Sequence, residues 1–281
     1  MWPPPRRSLR LDVLIPSSFS RDTPHPRDRT MRLGMLARAL AAARVDTLVI
    51  YHEDPGRPEE ANARLIKMVM DYLNTAPYLR RRLYPLAREL RYAGILPPLN
   101  IPTHPESLEV GGEHWREGLV VSGGEVSVIE AGMGRPIKVG RRLVEGSRIL
   151  VHVKPGKRRP RITVRSRRKA PIYPGFKTTI VGEPLREITR GYGLSIATSR
   201  KGRDIREAME ELREMAGKAG RICVAFGAAR QGLAEILQQQ GASLEEAFHM
   251  ALNTMPMQGV RTIRTEEAVY YTLAILNLVL R

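Results

Sequence analysis

The stretch NTMPMQGVRTIRTEEA, residues 253–268, places Asn253, Pro256, Gln258 and Gly259 ahead of two arginines, Arg261 and Arg264, and an acidic pair, Glu266 and Glu267. A plain turn between a strand and a helix needs one turn residue and an N-cap, so the surplus of polar side chains points to a ligand. Two further loops share this character, TSRKG (198–202) and FGAARQG (226–232). Each pairs glycine, which lets backbone amides and carbonyls approach a ligand, with a few polar side chains. One such loop carries little weight, because strand and helix junctions commonly use glycine. Three together, at strand ends where open parallel sheets hold ligands, favour a nucleoside-like molecule.

Other chemistries lack their signatures. There is no Gly-x-Gly-x-x-Gly after a first strand and no Walker sequence, which disfavours NAD and ATP. The six histidines are scattered and the single cysteine is Cys223, so no metal site is expected. A Ser-His-Asp set is not excluded by order, although no nucleophile elbow is present. Glu266 and Glu267 also have a plain structural reading, since acids in a first helical turn favour capping and the helix dipole.

The elements that must carry these loops are legible from periodicity. LDVLIP (11–16) reads as a short strand, followed by a helix from about Thr30 to Arg44 with Leu33, Leu36, Leu40 and Ala43 at helical spacing. VDTLVIY (45–51) is a second strand, completing the unit of a parallel sheet. ANARLIKMVMDYLN (61–74) is a helix, and APYLRRRLYPLAREL a short one broken at Pro85. Between 115 and 165 the pattern changes to short alternating runs, WREGLVVS, EVSVIEA, RILVHV and RITVRS, as in a small antiparallel barrel or sandwich. After APIYPGFKTTIVGEP come a strand at 193–199, a helix at 203–217, a strand at 221–227, a helix at 229–240, a strand at 247–252 and a last helix from Glu266. The expected fold class is therefore α/β, one sheet domain made from residues 1–102 and 173–281, with a β-rich domain inserted at 103–172.

Charge marks the insert. The net charge is +17, and of 46 basic residues 8 are lysine and 38 arginine, the side chain whose planar fork fits phosphate. Between Arg135 and Lys169 there are 14 basic residues against one acid, Glu145. A generic solvated surface mixes both signs. This segment instead offers a face for a polyanion, with Arg142, Lys157, Arg158, Arg159, Arg161, Arg165, Arg167 and Arg168 as its expected RNA contacts. Only Trp115 and Tyr173 could stack on bases, so phosphate contacts should dominate.

Cys223 sits in the apolar run ICVAFG and reads as a buried, inert thiol. The N-terminus MWPPPRRSLR has no signal-peptide core, and no apolar run approaches the roughly 20 residues of a membrane span. A soluble, cytoplasmic protein is expected. The last helix, AVYYTLAILNLVL (268–280), is apolar around its circumference, which implies burial on more than one side, in the core or at a dimer interface.

The motif at 253–268, with TSRKG, FGAARQGL, IPSSFS (15–20) and RTMRLGMLARAL (29–40), resembles the SPOUT class of RNA methyltransferases, in the uridine-N3 branch with an inserted OB-like domain. The resemblance runs from about Leu11 to Leu280. It implies a C-terminal trefoil knot, S-adenosylmethionine held in that knot, and a homodimer. Ordinary topology makes knots very rare, so this rests on the resemblance. The implied cofactor pocket uses Thr198, Ser199 and Gly202, then Phe226, Gly227 and Gly232, then Asn253, Pro256, Gln258, Gly259, Ile263 and Thr265. Family members often carry glycine where this chain has Ala228. A related branch has Asn-x-Gly-x-x-x-Arg in its first helix; Arg38 matches its catalytic arginine, and Arg32 stands where the asparagine would be.

Methylation of uridine N3 needs loss of its proton, to a base or under the influence of nearby cations. Arg38, Arg261 and Arg264 are the candidate cations, Glu266 the candidate base. Arg38 could equally be a solvent-facing helix residue. Ribose or other base methylation would suit the same pocket, and a catalytically silent RNA-binding protein could retain the same fold.

Overall fold

The computed structural model describes residues 2–105, 112–157 and 159–280. In chain order its strands and helices are β1 (Arg10–Pro16), α1 (Pro26–Ala42), β2 (Thr47–Tyr51), α2 (Glu60–Leu73), α3 (Pro77–Leu83), β3 (His114–Ser122), β4 (Ser127–Glu130), β5 (Ile137–Val139), β6 (Arg148–Lys154) and β7 (Arg161–Arg165). They continue as β8 (Lys177–Val181), α4 (Leu185–Thr189), β9 (Leu194–Asp204), α5 (Ile205–Lys218), β10 (Arg221–Ala225), α6 (Leu233–Gln239), α7 (Leu244–Ala247), β11 (Met250–Asn253) and α8 (Thr265–Val279). The chain divides into two units, one of Met1–Arg6, Tyr72–Arg88 and Pro98–Gly175, the other of Arg7–Asp71, Glu89–Pro97 and Phe176–Arg281.

The second of these is built on a six-stranded sheet of order β11-β9-β10-β1-β2-β8, all neighbours parallel. Strands covered on both faces read as continuous apolar runs. β1 follows that rule, with every residue from Leu11 to Pro16 buried. Cys223 in β10 is fully buried, and burial, with the charge of Asp12, pushes its thiol up, as an inert core thiol requires. One oxygen of Asp12, Oδ2, accepts from Tyr192 Oη at 2.9 Å and from Arg221 Nε and Nη2 at 2.9 and 2.6 Å, while Oδ1 is buried with no hydrogen-bond partner among the described residues.

Local sequence sets the helix ends. α1 starts at Pro26, whose missing N–H costs nothing in a first turn, and His25 Nδ1 accepts from Arg27 N at 3.2 Å. α7 is opened by a capping box, Ser243 with Glu246. α8 buries Val269, Thr272, Leu273, Leu276 and Val279 and leaves Tyr270, Tyr271 and Leu278 exposed. Among the described residues no helix is long and apolar enough to cross a membrane.

The other unit is a curled antiparallel sheet of order β5-β4-β3-β6-β7. Val120, Ile129, Ile137, Ile149, Val151 and Val153 form one core layer. Gly118 in β3 is required by that layer, since a Cβ there would lie 2.8 Å from Ile129 Cγ2 and 3.0 Å from Val151 Cγ2. Glu117, next to it, is fully buried as a carboxylate that takes Ala76 N at 2.8 Å, Arg148 Nε at 2.5 Å and Arg167 Nη1 at 2.6 Å.

Two expectations for this unit are corrected. Trp115 and Tyr173 offer no stacking platform: Trp115 is 7% exposed and stacked on His152 at 4.0 Å, and Tyr173 is 2% exposed. Arg167 is not a free phosphate ligand either, because its guanidinium is spent on Glu117 and on the Pro174 carbonyl at 2.7 Å.

Candidate functional site

Three loops follow the carboxyl ends of the adjacent strands β9, β10 and β11. The first is set inside a strand. Ala197 of β9 pairs with Ala251 of β11, and the next β11 residue, Leu252, pairs with Arg203, so Thr198 to Gly202 bulge out between two consecutive partners. Gly202 is the hinge of that bulge: a Cβ there would fall 2.7 Å from the Leu252 carbonyl carbon and 2.8 Å from the Ala251 carbonyl oxygen. No side chain fits against backbone at that distance.

The second loop starts at Phe226, buried and tied at both ends, with its N–H donating to Leu14 O at 3.0 Å and its carbonyl accepting from Tyr51 Oη at 2.7 Å. Burial, then the charge of Glu53, hold the Tyr51 hydroxyl well above its ordinary value, so it stays a donor. Gly227 lies against the returning chain, where a Cβ would meet Gln231 O and Gly232 Cα at 3.0 Å. Helix α6 begins only after Gly232.

The third loop, from Asn253 to Thr265, interlocks with the other two. Asn253 Nδ2 donates to Arg200 O at 3.0 Å, and Arg200 Nη1 donates to Arg261 O at 3.0 Å. Gln258 Nε2 donates to Val260 O at 2.7 Å, and Thr265 Oγ1 to Gly227 O at 3.4 Å. Thr198 Oγ1 donates to Ala225 O at 2.8 Å, and Ser199 Oγ accepts from Lys201 N at 3.2 Å. The structure thus brings together the loops that hold all twelve expected cofactor residues. Pro256 and Ile263 are half-buried within the third loop, and Gly259 is exposed, with nothing within 4 Å of a Cβ placed on it. Met257 beside it is in the left-handed region at φ 57 and 92% exposed. The hydroxyls and side-chain amides hold the three loops to one another, and the glycines leave their backbone open to a ligand.

The catalytic candidates separate. Arg261 and Arg264 are exposed in the third loop, the Arg264 N–H donating to Glu267 Oε2 at 2.9 Å, so Glu267 caps α8. Arg38 is half-buried on α1, about 9 Å along the helix from Arg32. Glu266 departs from its expected role as base. It is 2% exposed, and both its oxygens are taken by Arg32, Nε at 2.8 Å and Nη2 at 2.9 Å. Arg32 Nη1 completes the set with Asp22 Oδ1 and Thr23 Oγ1, both at 2.6 Å. Burial alone would lower the Arg32 value; the bonds to Glu266 and Asp22 outweigh it and raise it. Glu266, Arg32, Asp22 and Thr23 thus form one bonded cluster that periodicity did not single out.

In the other unit, Arg142, Lys157, Arg159, Arg161, Arg165 and Arg168 are all exposed. Strand β7 alternates, with Ile162 and Val164 half-buried and Arg161, Thr163 and Arg165 outward, so its basic face follows from the pleat. Among the described residues it is the last strand of its sheet. Arg158 lies outside the described residues.

A sequence-family profile described as "Putative RNA methyltransferase" matches residues 10–276. The chain is similar to an uncharacterised protein of Halobacterium salinarum, 35% identical over 286 residues, covering 95% of this chain and 98% of that one. It is also similar to the 28S rRNA (uridine-N(3))-methyltransferases of Homo sapiens and Mus musculus. These are 30% and 31% identical over 310 residues, covering 96% of this chain and 78% and 77% of theirs. With a profile match across nearly its whole length, the chain belongs to this family of RNA methyltransferases.

Proposed function

We propose that this protein methylates N3 of a uridine in ribosomal RNA, using S-adenosylmethionine held by the loops at 198–202, 226–232 and 253–265. The observation that carries this reading is the interlock of the three loops, Asn253 to Arg200 to Arg261 and Thr265 to Gly227, on adjacent parallel strands. The names of the human and mouse relatives supply the product. When bound, the cofactor supplies an electrophilic methyl group. The protein's share is to place the acceptor, exclude water and remove a proton. Arg261 and Arg264 are the cations proposed to face uracil or its phosphate, with Arg38 as a third.

Finer features belong to the same reading. The C-terminal segment forms a trefoil knot, and residues 103–172, inserted in sequence between segments 1–102 and 173–281 of the catalytic domain, act as an OB-like domain that grips RNA. The working unit is a homodimer whose interface covers Tyr270, Tyr271 and Leu278 of α8 with Met31 and Met35 of α1, all exposed in the single chain. The site of action is the cytoplasm.

Calorimetry with S-adenosylmethionine, and nucleoside mass spectrometry of rRNA from a deletion strain, test this. Saturable binding and loss of 3-methyluridine are expected. No cofactor binding together with tight, salt-dependent RNA binding would instead identify a catalytically silent RNA-binding protein.

A further inference from the structure

Beside the second loop lies a cavity of about 730 Å³. Its walls come from segments that follow the carboxyl ends of β1, β2 and β10: Ser17 to Asp22, Glu53 to Arg57, and Ala228 to Gln231. The last segment belongs to the second of the three interlocked loops, so the cavity and the proposed cofactor site share a wall. Asp22 is bonded to Arg32, which clasps Glu266 directly after Thr265. A second connection therefore runs from the cavity to the third loop.

The lining is not a generic acidic surface. Ser17, fully buried, donates Oγ to Glu53 Oε2 at 2.9 Å, and the Ser17 and Phe19 carbonyls are held by Asn62 Nδ2. One Glu53 oxygen is thereby fixed, and no hydrogen bond to the other is made among the described residues. The remaining charged groups on the walls are Arg21, Asp22, Asp54, Arg57, Glu59 and Arg230. Arg21 is paired with Glu59, whereas Arg57 and Arg230 enter no ion pair among the described residues. A half-buried carboxylate inside and two uncommitted guanidiniums around it match an imide N–H and phosphates, the two ends of a uridine nucleotide. The volume lies within the few hundred to about 1,000 Å³ usual for such ligands.

We propose that this cavity receives the acceptor uridine, with Glu53 as the catalytic base and Arg57 and Arg230 on the flanking phosphates. The inference rests on the function proposed above. In the transfer, the N3–H bond breaks and its proton passes to the Glu53 carboxylate. The freed N3 electron pair forms the new N–C bond, and the C–S pair stays on sulfur as a neutral thioether. The positive charge that entered on the sulfonium leaves as the proton.

The test uses the full chain, S-adenosylmethionine with a tritiated methyl group, and rRNA from a strain lacking the gene. Glu53→Gln is expected to keep cofactor affinity within about two-fold and to lose about 100-fold or more in methylation at neutral pH, the usual worth of a positioned base. The deficit should shrink as pH rises, because hydroxide then removes the N3 proton. The double variant Arg57→Ala with Arg230→Ala should raise KM for RNA and leave kcat nearly unchanged. Methylation by Glu53→Gln at the wild-type rate, a loss equal at every pH, or loss of its cofactor affinity would each overturn the proposal, the last by giving the cavity to the cofactor. An unchanged KM in the double variant would remove the phosphate contacts. A wild-type protein that neither binds the cofactor nor methylates refutes the function itself, a result distinguishable because no variant is needed to see it.

Discussion

Arg32 and Glu266 form a two-pronged ion pair at 2.8 and 2.9 Å between α1 and the first turn of α8, across 234 positions of sequence. Both are buried, so removing the Glu266 charge leaves Arg32 with Asp22 as its one carboxylate partner among the described residues and two of its N–H groups short of an anionic acceptor, a loss of up to about 3 kcal/mol. Glu266→Gln should lower the melting temperature on the order of 10 °C. Arg32→Lys should not compensate, because an ammonium cannot span both oxygens. Scanning calorimetry checks this, and methylation measured well below the melting range separates positioning from proton transfer. Near-normal turnover there supports positioning.

The basic edge strand gives a second expectation. Replacing Arg159, Arg161, Arg165 and Arg168 by glutamine should weaken RNA binding and flatten the slope of log K against log salt by about 0.7–0.9 for each phosphate no longer neutralised. Cofactor affinity should stay the same. Filter binding between about 50 and 200 mM salt reads this, and an unchanged slope would remove the strand from the RNA site.

Gly202 and Gly259 make a contrasting pair. Gly202→Ala drives a Cβ into β11 backbone at 2.7 Å and should disturb the fold around the bulge along with the pocket. A Cβ at exposed Gly259 meets nothing within 4 Å, so in Gly259→Leu stability should hold while cofactor affinity falls at least ten-fold. Calorimetry and melting on both variants decide it. Normal affinity in Gly259→Leu would count against the pocket as drawn.

The Glu117 cluster predicts acid sensitivity of its unit. Burial would raise the Glu117 value, but His104, Arg167 and Arg148 prevail and hold the carboxylate well below the ordinary 4.5. Burial also lowers His104 from 6.5. In both cases the unfolded chain takes up its proton first. The stability these groups contribute is thus whole above about pH 6.5 and fades in two stages on acidification, below the ordinary histidine value and then below the ordinary glutamate value. Urea midpoints followed from about pH 8 to pH 3 should show this, and Glu117→Gln should remove the lower stage at the cost of a lower midpoint throughout.

Much of the architecture was legible because burial writes periodicity into sequence. LDVLIP and RICVA are strands buried on both faces, and they were readable as such. KTTIV was not, because β8 is a half-exposed edge strand between Gly175 and Gly182 with no clean alternation. The start of α7 was available in Ser243 and Glu246, yet the apolar AFHMAL beside it invited a strand three residues too early. The loops were visible as glycines at strand ends. The commitment of Arg167 to Glu117 was not, since a count of arginines cannot separate those that face solvent from those that close a buried cluster.

In β9 the bulge from Thr198 to Gly202 sits between two stretches of intact pairing, and Asp204 beyond it still caps α5 through Arg206 N at 2.8 Å. The edge of the pocket can therefore change its contour without pulling on the helix that follows. Gly202, the residue pressed against its neighbour's backbone, must stay; Lys201 before it, exposed and without a side-chain bond among the described residues, is free to vary. A lineage could adapt this rim to a new guest by substitutions that the folding of the sheet would hardly register.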